Sequence, residues 1–187
     1  WFPEKLEFNV KYGPMSLGTS YLTSTEVVQF DGHTAYRVRS DAASNGFADA
    51  FYKVRDHYES YVETGTLRSL GFSKQIREGG YYRDEWVLFD AKEKRFLAKS
   101  RNKKGEETLL MGALRGEVQD ILSSLYYVRT QDLEVGKEFT LDVNTKSNWP
   151  LVIRVIKRER IRVPAGKFDT FLVEPFLRDE GLFIQKG

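Results

Sequence analysis

Cysteine is absent from the chain and histidine is scarce, with two among the 187 residues. The lack of cysteine excludes disulfide bonds, thiolate nucleophiles, iron–sulfur clusters and zinc sites built on cysteine. His33 and His57 are too few to build a multi-histidine metal centre. We therefore expect the protein to bind neither a metal ion nor another cofactor.

An excess of one charge and long apolar runs are missing as well. The 29 basic residues nearly balance the 27 acidic ones, which leaves a net charge of +2. Nucleic-acid-binding domains usually carry a strongly basic face, so we expect no nucleic-acid partner. No apolar run approaches the roughly 18 residues that a membrane-spanning helix needs, so we predict no transmembrane segment.

Aromatic residues are plentiful, at 14% of the chain, and they recur with the period of two that is typical of β-strands. Leu6, Phe8 and Val10 alternate with polar residues in the first such run. Further strands are predicted at residues 36–42, 52–62, 70–76, 81–90, 95–99, 138–144, 151–163 and 168–176. Tight turns such as Asp31-Gly32 and Gly79-Gly80 separate the runs, so neighbouring strands should pair antiparallel.

The alternation also predicts which strand residues lie inside. The residues expected to be buried are Leu6, Phe8, Val10, Val38, Tyr58, Trp86, Leu88 and Phe139. The charged residues expected to be exposed are Arg37, Arg39, Lys53, Arg55 and Glu59. A slip of one residue in register would invert both sets, so burial tests this prediction directly.

One segment, residues 120–129, has the spacing of a helix instead. Ile121, Leu125 and Val128 stand at i, i+4 and i+7, Asp120 is a good N-cap, and Arg129 suits the negative end of the helix dipole. We predict one short helix against a mainly antiparallel, strongly curved sheet, with a half-barrel as first choice and a closed barrel or sandwich as second. Residues 102–119 contain three glycines and are predicted to form a mobile loop or a lid.

Four segments resemble a bacterial family of domains of unknown function, numbered three-one-zero-eight in that series. They are residues 4–13 with Gly18-Thr19, residues 81–90, residues 120–129 and residues 163–168. The resemblance implies an exported, mainly β protein of the periplasm or outer envelope, without an assigned reaction. The family usually has proline where this chain has Ile121, and it continues into further strands beyond Gly187. We therefore expect a single β-rich domain over residues 1–187 that lacks its last strands.

The predicted helix carries the first group of candidate site residues. Tyr126, Tyr127 and Arg129 could form the lip of a pocket that holds an anionic headgroup or a partner's carboxylate, since arginine offers a planar fork of donors. The alternative is a helix that only packs on the sheet, with Arg129 paired to a structural acid such as Asp56 or Asp84. In both cases we expect Arg129 to be fixed rather than solvated.

Asp56 and Asp84 are unusual because each alternates with aromatic residues, Asp84 with Trp86 among them. A carboxylate on an apolar face has either a partner or a raised pKa. Two such acids invite a general acid–base pair, as in glycoside hydrolysis. A buried structural acid explains the same pattern, and neither a Gly-x-Ser-x-Gly elbow nor a phosphate loop supports a hydrolase.

A row of arginines marks the strand predicted at residues 151–163. Arg154, Arg158, Arg160 and Arg162 are expected on one face of that strand, where they could bind anionic lipid headgroups or another anionic surface. A solvated, aggregation-resistant face is the alternative.

Three functions follow from these observations. The first is a non-enzymatic envelope protein that binds an apolar or amphipathic ligand, such as a lipid or glycolipid, on an aromatic concave face. The second is an interaction subunit of an envelope assembly without a small ligand. The third is a hydrolase with the paired acids Asp56 and Asp84.

Overall fold

The computed structural model describes residues 2–177, which form eleven strands and two helices. The strands are β1 (Glu4–Tyr12), β2 (Met15–Phe30), β3 (His33–Ser44), β4 (Arg55–Glu63), β5 (Ser69–Glu78), β6 (Tyr81–Asp90), β7 (Arg95–Asn102), β8 (Glu107–Ala113), β9 (Glu138–Asn144), β10 (Asn148–Val163) and β11 (Gly166–Leu177). The helices are α1 (Gly46–Asp49), between β3 and β4, and α2 (Ile121–Val128), between β8 and β9. Strands expected after Gly187 lie outside the described residues.

The strands form two antiparallel sheets. β1 to β8 make an eight-stranded sheet in chain order, and β9, β10 and β11 make a three-stranded sheet with β10 in the middle. Turns of two residues permit this meander, as between β2 and β3, where Asp31 and Gly32 both have positive φ. The mainly antiparallel β fold and the short helix α2 are confirmed.

The half-barrel that was the first choice is not confirmed, because the chain leaves the large sheet after β8. Helix α2 follows, and β9 then pairs with β10 instead of with β8. A single parallel bridge between Gln119 and Val143 connects the start of the helical segment to β9. Within residues 2–177, neither sheet closes on itself.

Helix α2 lies between the two sheets. Tyr126 packs with Leu22, Val38 and Val62 of the large sheet, while Val128 packs with residues of the small sheet such as Val143. We call the helix-facing side of the large sheet its inner face and the opposite side its outer face. A further cluster, which includes Val87, lies on the same inner face beneath the segment around Leu114.

The predicted loop over residues 102–119 instead contains strand β8. β8 pairs with β7, with Ala98 opposite Leu110 and Phe96 opposite Gly112. Gly112 is required there, because a Cβ at this position would lie 2.4 Å from the Phe96 ring. The loop was predicted because the segment contains three glycines. One of them, Gly112, instead lies within a strand and makes room for the Phe96 side chain.

The burial predictions are only partly right. Val38 is buried, and Lys53 and Arg55 are exposed, as expected. The residues that are exposed against expectation are Leu6, Phe8, Val10 and Leu88. Three residues that were expected to be buried are only half-buried: Tyr58, Trp86 and Phe139. Three charged residues that were expected to be exposed are half-buried as well: Arg37, Arg39 and Glu59.

Two separate causes explain these differences. β6 carries large apolar residues on both faces, and the structure turns Val87 and Phe89 inward, so Leu88 faces out. On β1 the predicted face is correct, because Leu6 lies opposite the buried Leu22. β1 is an edge strand, however, and this part of the inner face remains open.

Candidate functional site

Asp120 joins helix α2 to the large sheet. One carboxylate oxygen accepts hydrogen bonds from the backbone N–H groups of Leu122 and Ser123, and the other accepts from the hydroxyls of Ser60 and Ser69, both at 2.6 Å. Ser123 completes a capping box by accepting from the Asp120 N–H. Within residues 120–129, one of the four segments that resemble the family, Asp120 therefore anchors the helix to the large sheet.

Arg129 is held in place, as predicted, but by a different acid. Its guanidinium donates two hydrogen bonds of 2.7 Å to the carboxylate of Glu4 on β1, and it stacks on the ring of Tyr126. The hydrogen bond from Arg129 lowers the pKa of Glu4. The prediction that Arg129 pairs with Asp56 or Asp84 is wrong, because α2 crosses the sheet toward its β1 edge.

The Arg129 pair predicts a modest change in stability. Arg129→Ala should lower the free energy of unfolding by about 1 kcal/mol, since the pair is partly solvated and Glu4 can rehydrate. This is smaller than the roughly 3 kcal/mol expected for stranding a fully buried acid. Urea denaturation measures the loss, with the neighbouring Thr130→Ala as the control. A loss above about 3 kcal/mol would show that Glu4 is not rehydrated.

The remaining residues of the predicted ligand site do not come together. Tyr126 and Tyr127 pack in the core around α2, on the large and small sheets respectively. Asp84 lies opposite Gln75, and Gln75 lies opposite His57, so these residues share the outer face. Asp56, next to His57 in β4, faces inward.

The two acids of the hydrolase hypothesis are thus on opposite faces of the sheet. Asp84 is bound by Arg77 and Arg101, and these guanidiniums lower its pKa against the opposing effect of burial. Trp86 lies on the same outer face, and the guanidinium of Arg101 stacks over its ring, 5.5 Å from the ring centre. Asp56 accepts a hydrogen bond from the backbone N–H of Arg77 at 2.8 Å. The geometry gives no support to an acid–base pair.

The arginine row on β10 is interrupted by a β-bulge between Val155 and Lys157. The extra residue reverses the alternation, so Arg154 faces opposite to Arg158, Arg160 and Arg162. Arg154 pairs with Glu138 at 2.5 Å, and Arg160 forms a bidentate pair with Asp169. The prediction that all four share a face is wrong, and two of the four charges are neutralised locally.

An apolar cleft lies at the end of the inner face, beneath helix α1. Its volume is about 360 Å³. The large sheet supplies its floor and the segment around α1 its roof. Its lining residues are Val10, Leu17, Gly18, Thr19, Ala42, Ala43, Ser44, Phe47, Ala48, Phe51, Tyr52 and Val54. We call this the α1 cleft.

The polar groups of the α1 segment all point back to the sheet. Asn45 caps the helix by accepting from the N–H of Ala48, and its amide donates to the carbonyl of Ser16 at 2.7 Å. Asp49 pairs with Arg55, whose hydrogen bond lowers the pKa of Asp49. These bonds fix the segment as a roof over the cleft.

The aromatic residues of the same segment face solvent. Phe51 is 79% exposed and Phe47 is 58% exposed, and their ring centres are 5.6 Å apart. Tyr52 beside them is also exposed. Sequence analysis missed these residues, although Asn45 followed by Phe47 and Phe51 at i, i+4 is a short helix signal with an aromatic face.

A cluster of cations lies on the inner face at some distance from the cleft. Glu85 is 1% exposed, and its carboxylate contacts Lys74 at 2.7 Å, Arg83 at 2.5 Å and Lys146 at 2.5 Å. Burial alone would raise the pKa of Glu85, but the hydrogen bonds from Lys146 and Lys74 outweigh it and lower the pKa. We call these four residues the Glu85 cluster.

Comparison with known proteins places the chain in a family. The sequence model of the family described as Protein of unknown function (DUF3108) matches residues 7–187, so the chain belongs to this family. This confirms the resemblance inferred from the sequence. No curated protein and no solved structure matches the chain. Among residues 2–177, no helix is long and apolar enough to cross a membrane.

Proposed function

We propose that this protein is a non-enzymatic binding protein of the bacterial envelope and that its ligand carries a hydrocarbon chain. The α1 cleft is the binding site in this proposal. An exported, periplasmic or outer-envelope location belongs to the same proposal, as does an inner face that curves around the ligand in the manner of a half-barrel. The ligand is a lipid, a glycolipid or another amphipathic molecule.

The observation that carries the proposal is the lining of the α1 cleft. A volume of about 360 Å³ lies within the usual range of small-ligand sites, and its wall is almost entirely apolar. The exposed Phe47 and Phe51 at its mouth carry large apolar surfaces that a hydrocarbon chain would cover. The polar side chains of the α1 segment are hydrogen-bonded to the sheet, so the segment is held in place. The exposure of these two rings is therefore a feature of a fixed conformation.

Filling the cleft should abolish binding. In Ala48→Trp an indole enters the cleft from its roof, and we expect at least a tenfold loss of affinity for decanol. The measurement is displacement of Nile red, with ligand extraction and native mass spectrometry of protein purified from its own envelope. Ala50→Trp is the matched control, because Ala50 follows α1 but does not line the cleft.

Two results would contradict the proposal. Equal decanol affinity in both tryptophan variants would place the binding site elsewhere. Absence of decanol binding to the unmodified protein, together with no extractable lipid, would remove the function itself.

Strand β8 favours a second candidate function, an interaction subunit that binds an extended segment of an envelope protein. β8 is an edge of the large sheet, and its central residues Leu109, Leu110 and Met111 are all exposed, Met111 at 70%. Residues 108–114 carry no charge, whereas native edge strands are usually protected by charged residues. A partner strand added to β8 would satisfy the free backbone groups.

Leu110→Lys should then release a co-purifying partner without weakening decanol binding.

A further inference from the structure

The Glu85 cluster holds more positive than negative charge. Lys74, Arg83 and Lys146 come from β5, β6 and the turn before β10, and they converge on one carboxylate. An ammonium group has three N–H donors, so contact with Glu85 leaves donors for a second acceptor. The side chains of Lys74 and Lys146 remain 17% and 25% exposed, which makes them accessible to a ligand on the inner face.

The cluster and the α1 cleft lie on the same face of the large sheet. Lys74 stands opposite Tyr58 of β4, and Asp56 and Val54 follow at alternate positions toward the start of that strand, with Val54 in an isolated bridge to Glu78 just before β4. Val54 lines the cleft. Four residues of strand span roughly 13 Å, the scale of a medium-length hydrocarbon chain. Tyr58 lies between them and is half-buried, with the ammonium of Lys74 5.9 Å from its ring centre.

The acids near the cleft favour one orientation of a bound amphipath. Asp56 and Glu78 lie side by side at the cleft end of this route, where burial and the neighbouring Asp56 raise the pKa of Glu78. A negative headgroup would be repelled at that end and attracted at the lysine end. The chain of such a ligand would therefore point to the cleft, and its head to the cluster.

We propose that the ligand is an anionic amphipath, with its hydrocarbon chain in the α1 cleft and its phosphate or carboxylate headgroup on Lys74 and Lys146. Glu85 positions the two lysines and separates them from the apolar core. This inference rests on the proposed function, since it names the class of ligand for the same site. A free lipid headgroup without a chain should bind weakly, because the cleft contributes most of the buried apolar area.

The test compares three probes that share a chain and differ in the head: decyl phosphate, decanol and decyltrimethylammonium. Displacement of Nile red from the full chain gives the three affinities at low salt. We expect decyl phosphate to bind about tenfold more tightly than decanol, and the cationic probe to bind most weakly. Added salt should narrow the difference between the phosphate and the alcohol.

Substitutions of single lysines test where the anionic headgroup binds. Lys146→Gln leaves Glu85 with Lys74 and Arg83, so the fold should persist, and we expect the preference for phosphate over alcohol to fall to about threefold or less. Lys104→Gln, an exposed lysine in the turn between β7 and β8, is the control and should keep the full preference.

The outcomes separate the two proposals. Equal binding of decyl phosphate and decanol would overturn the anionic ligand and leave the apolar site standing. A preference for phosphate that survives both Lys146→Gln and Lys74→Gln would overturn the placement of the head. Failure of all three probes to bind would overturn the proposed function as well.

Discussion

Asp120→Ala should lower the free energy of unfolding by about 4 kcal/mol. The carboxylate accepts four hydrogen bonds, two from the backbone at the start of α2 and two from Ser60 and Ser69. Alanine would remove the N-cap, which is typically worth about 1 kcal/mol. It would also leave buried hydroxyl and N–H donors without acceptors, and each of these typically costs about 1–3 kcal/mol.

Urea denaturation of Asp120→Ala measures this loss, and Asp132→Ala serves as the control because Asp132 is exposed beyond the same helix. Combining Asp120→Ala with Ser69→Ala should cost less than the sum of the two, since Ser69 would already have lost its acceptor. A loss below about 1 kcal/mol would mean that water replaces the carboxylate and that α2 is not anchored here.

Glu85→Gln should lower the free energy of unfolding by about 3 kcal/mol at neutral pH. The carboxylate is buried, and its removal leaves Lys74, Arg83 and Lys146 close together without their shared anion. The partial exposure of these cations allows them to turn toward water, which keeps the loss below that of a fully buried network. Glu107→Gln is the matched control, because Glu107 and its partner Lys99 are 44% and 43% exposed.

The loss should also depend on pH in a defined direction. The pKa of Glu85 in the folded protein lies below its ordinary value of 4.5, so the charged form contributes stability above that value. As the pH falls below 4.5, the unfolded chain takes up a proton first and this contribution decreases. Denaturation curves of the unmodified protein and of Glu85→Gln should therefore converge in acid. A constant gap between pH 7 and pH 3 would contradict the assignment.

The fold was predictable where local sequence determines it. Turns such as Asp31-Gly32 fix antiparallel neighbours, and Asp120 before Ile121, Leu125 and Val128 predicts helix α2 with its cap. Predictions failed where both sides of a strand look alike. β6 presents Trp86 and Leu88 on one face and Val87 and Phe89 on the other, and period alone cannot choose between them.

The candidate site was not predictable from spacing, because it depends on contacts between distant segments. Glu4 and Arg129 meet across 125 positions, and Glu85 meets Lys146 across 61. The bulge at Ile156 reverses part of β10 without any signal in the arginine pattern. The α1 cleft forms where the connection between β3 and β4 returns across the end of the sheet. The position of such a connection cannot be predicted from the periodicity of the sequence.

The chain-order topology of the large sheet has a consequence for how the protein is assembled. Each strand from β2 to β8 pairs with the strand made just before it, so every pairing closes a short loop. The sheet can therefore grow from its first hairpin while the rest of the chain is still being synthesised. Helix α2 and the Glu4–Arg129 bond can form only after β8 has been made, and until then the inner face is open along its whole length, including the floor of the α1 cleft. Loading of an apolar ligand at that stage would precede completion of the core.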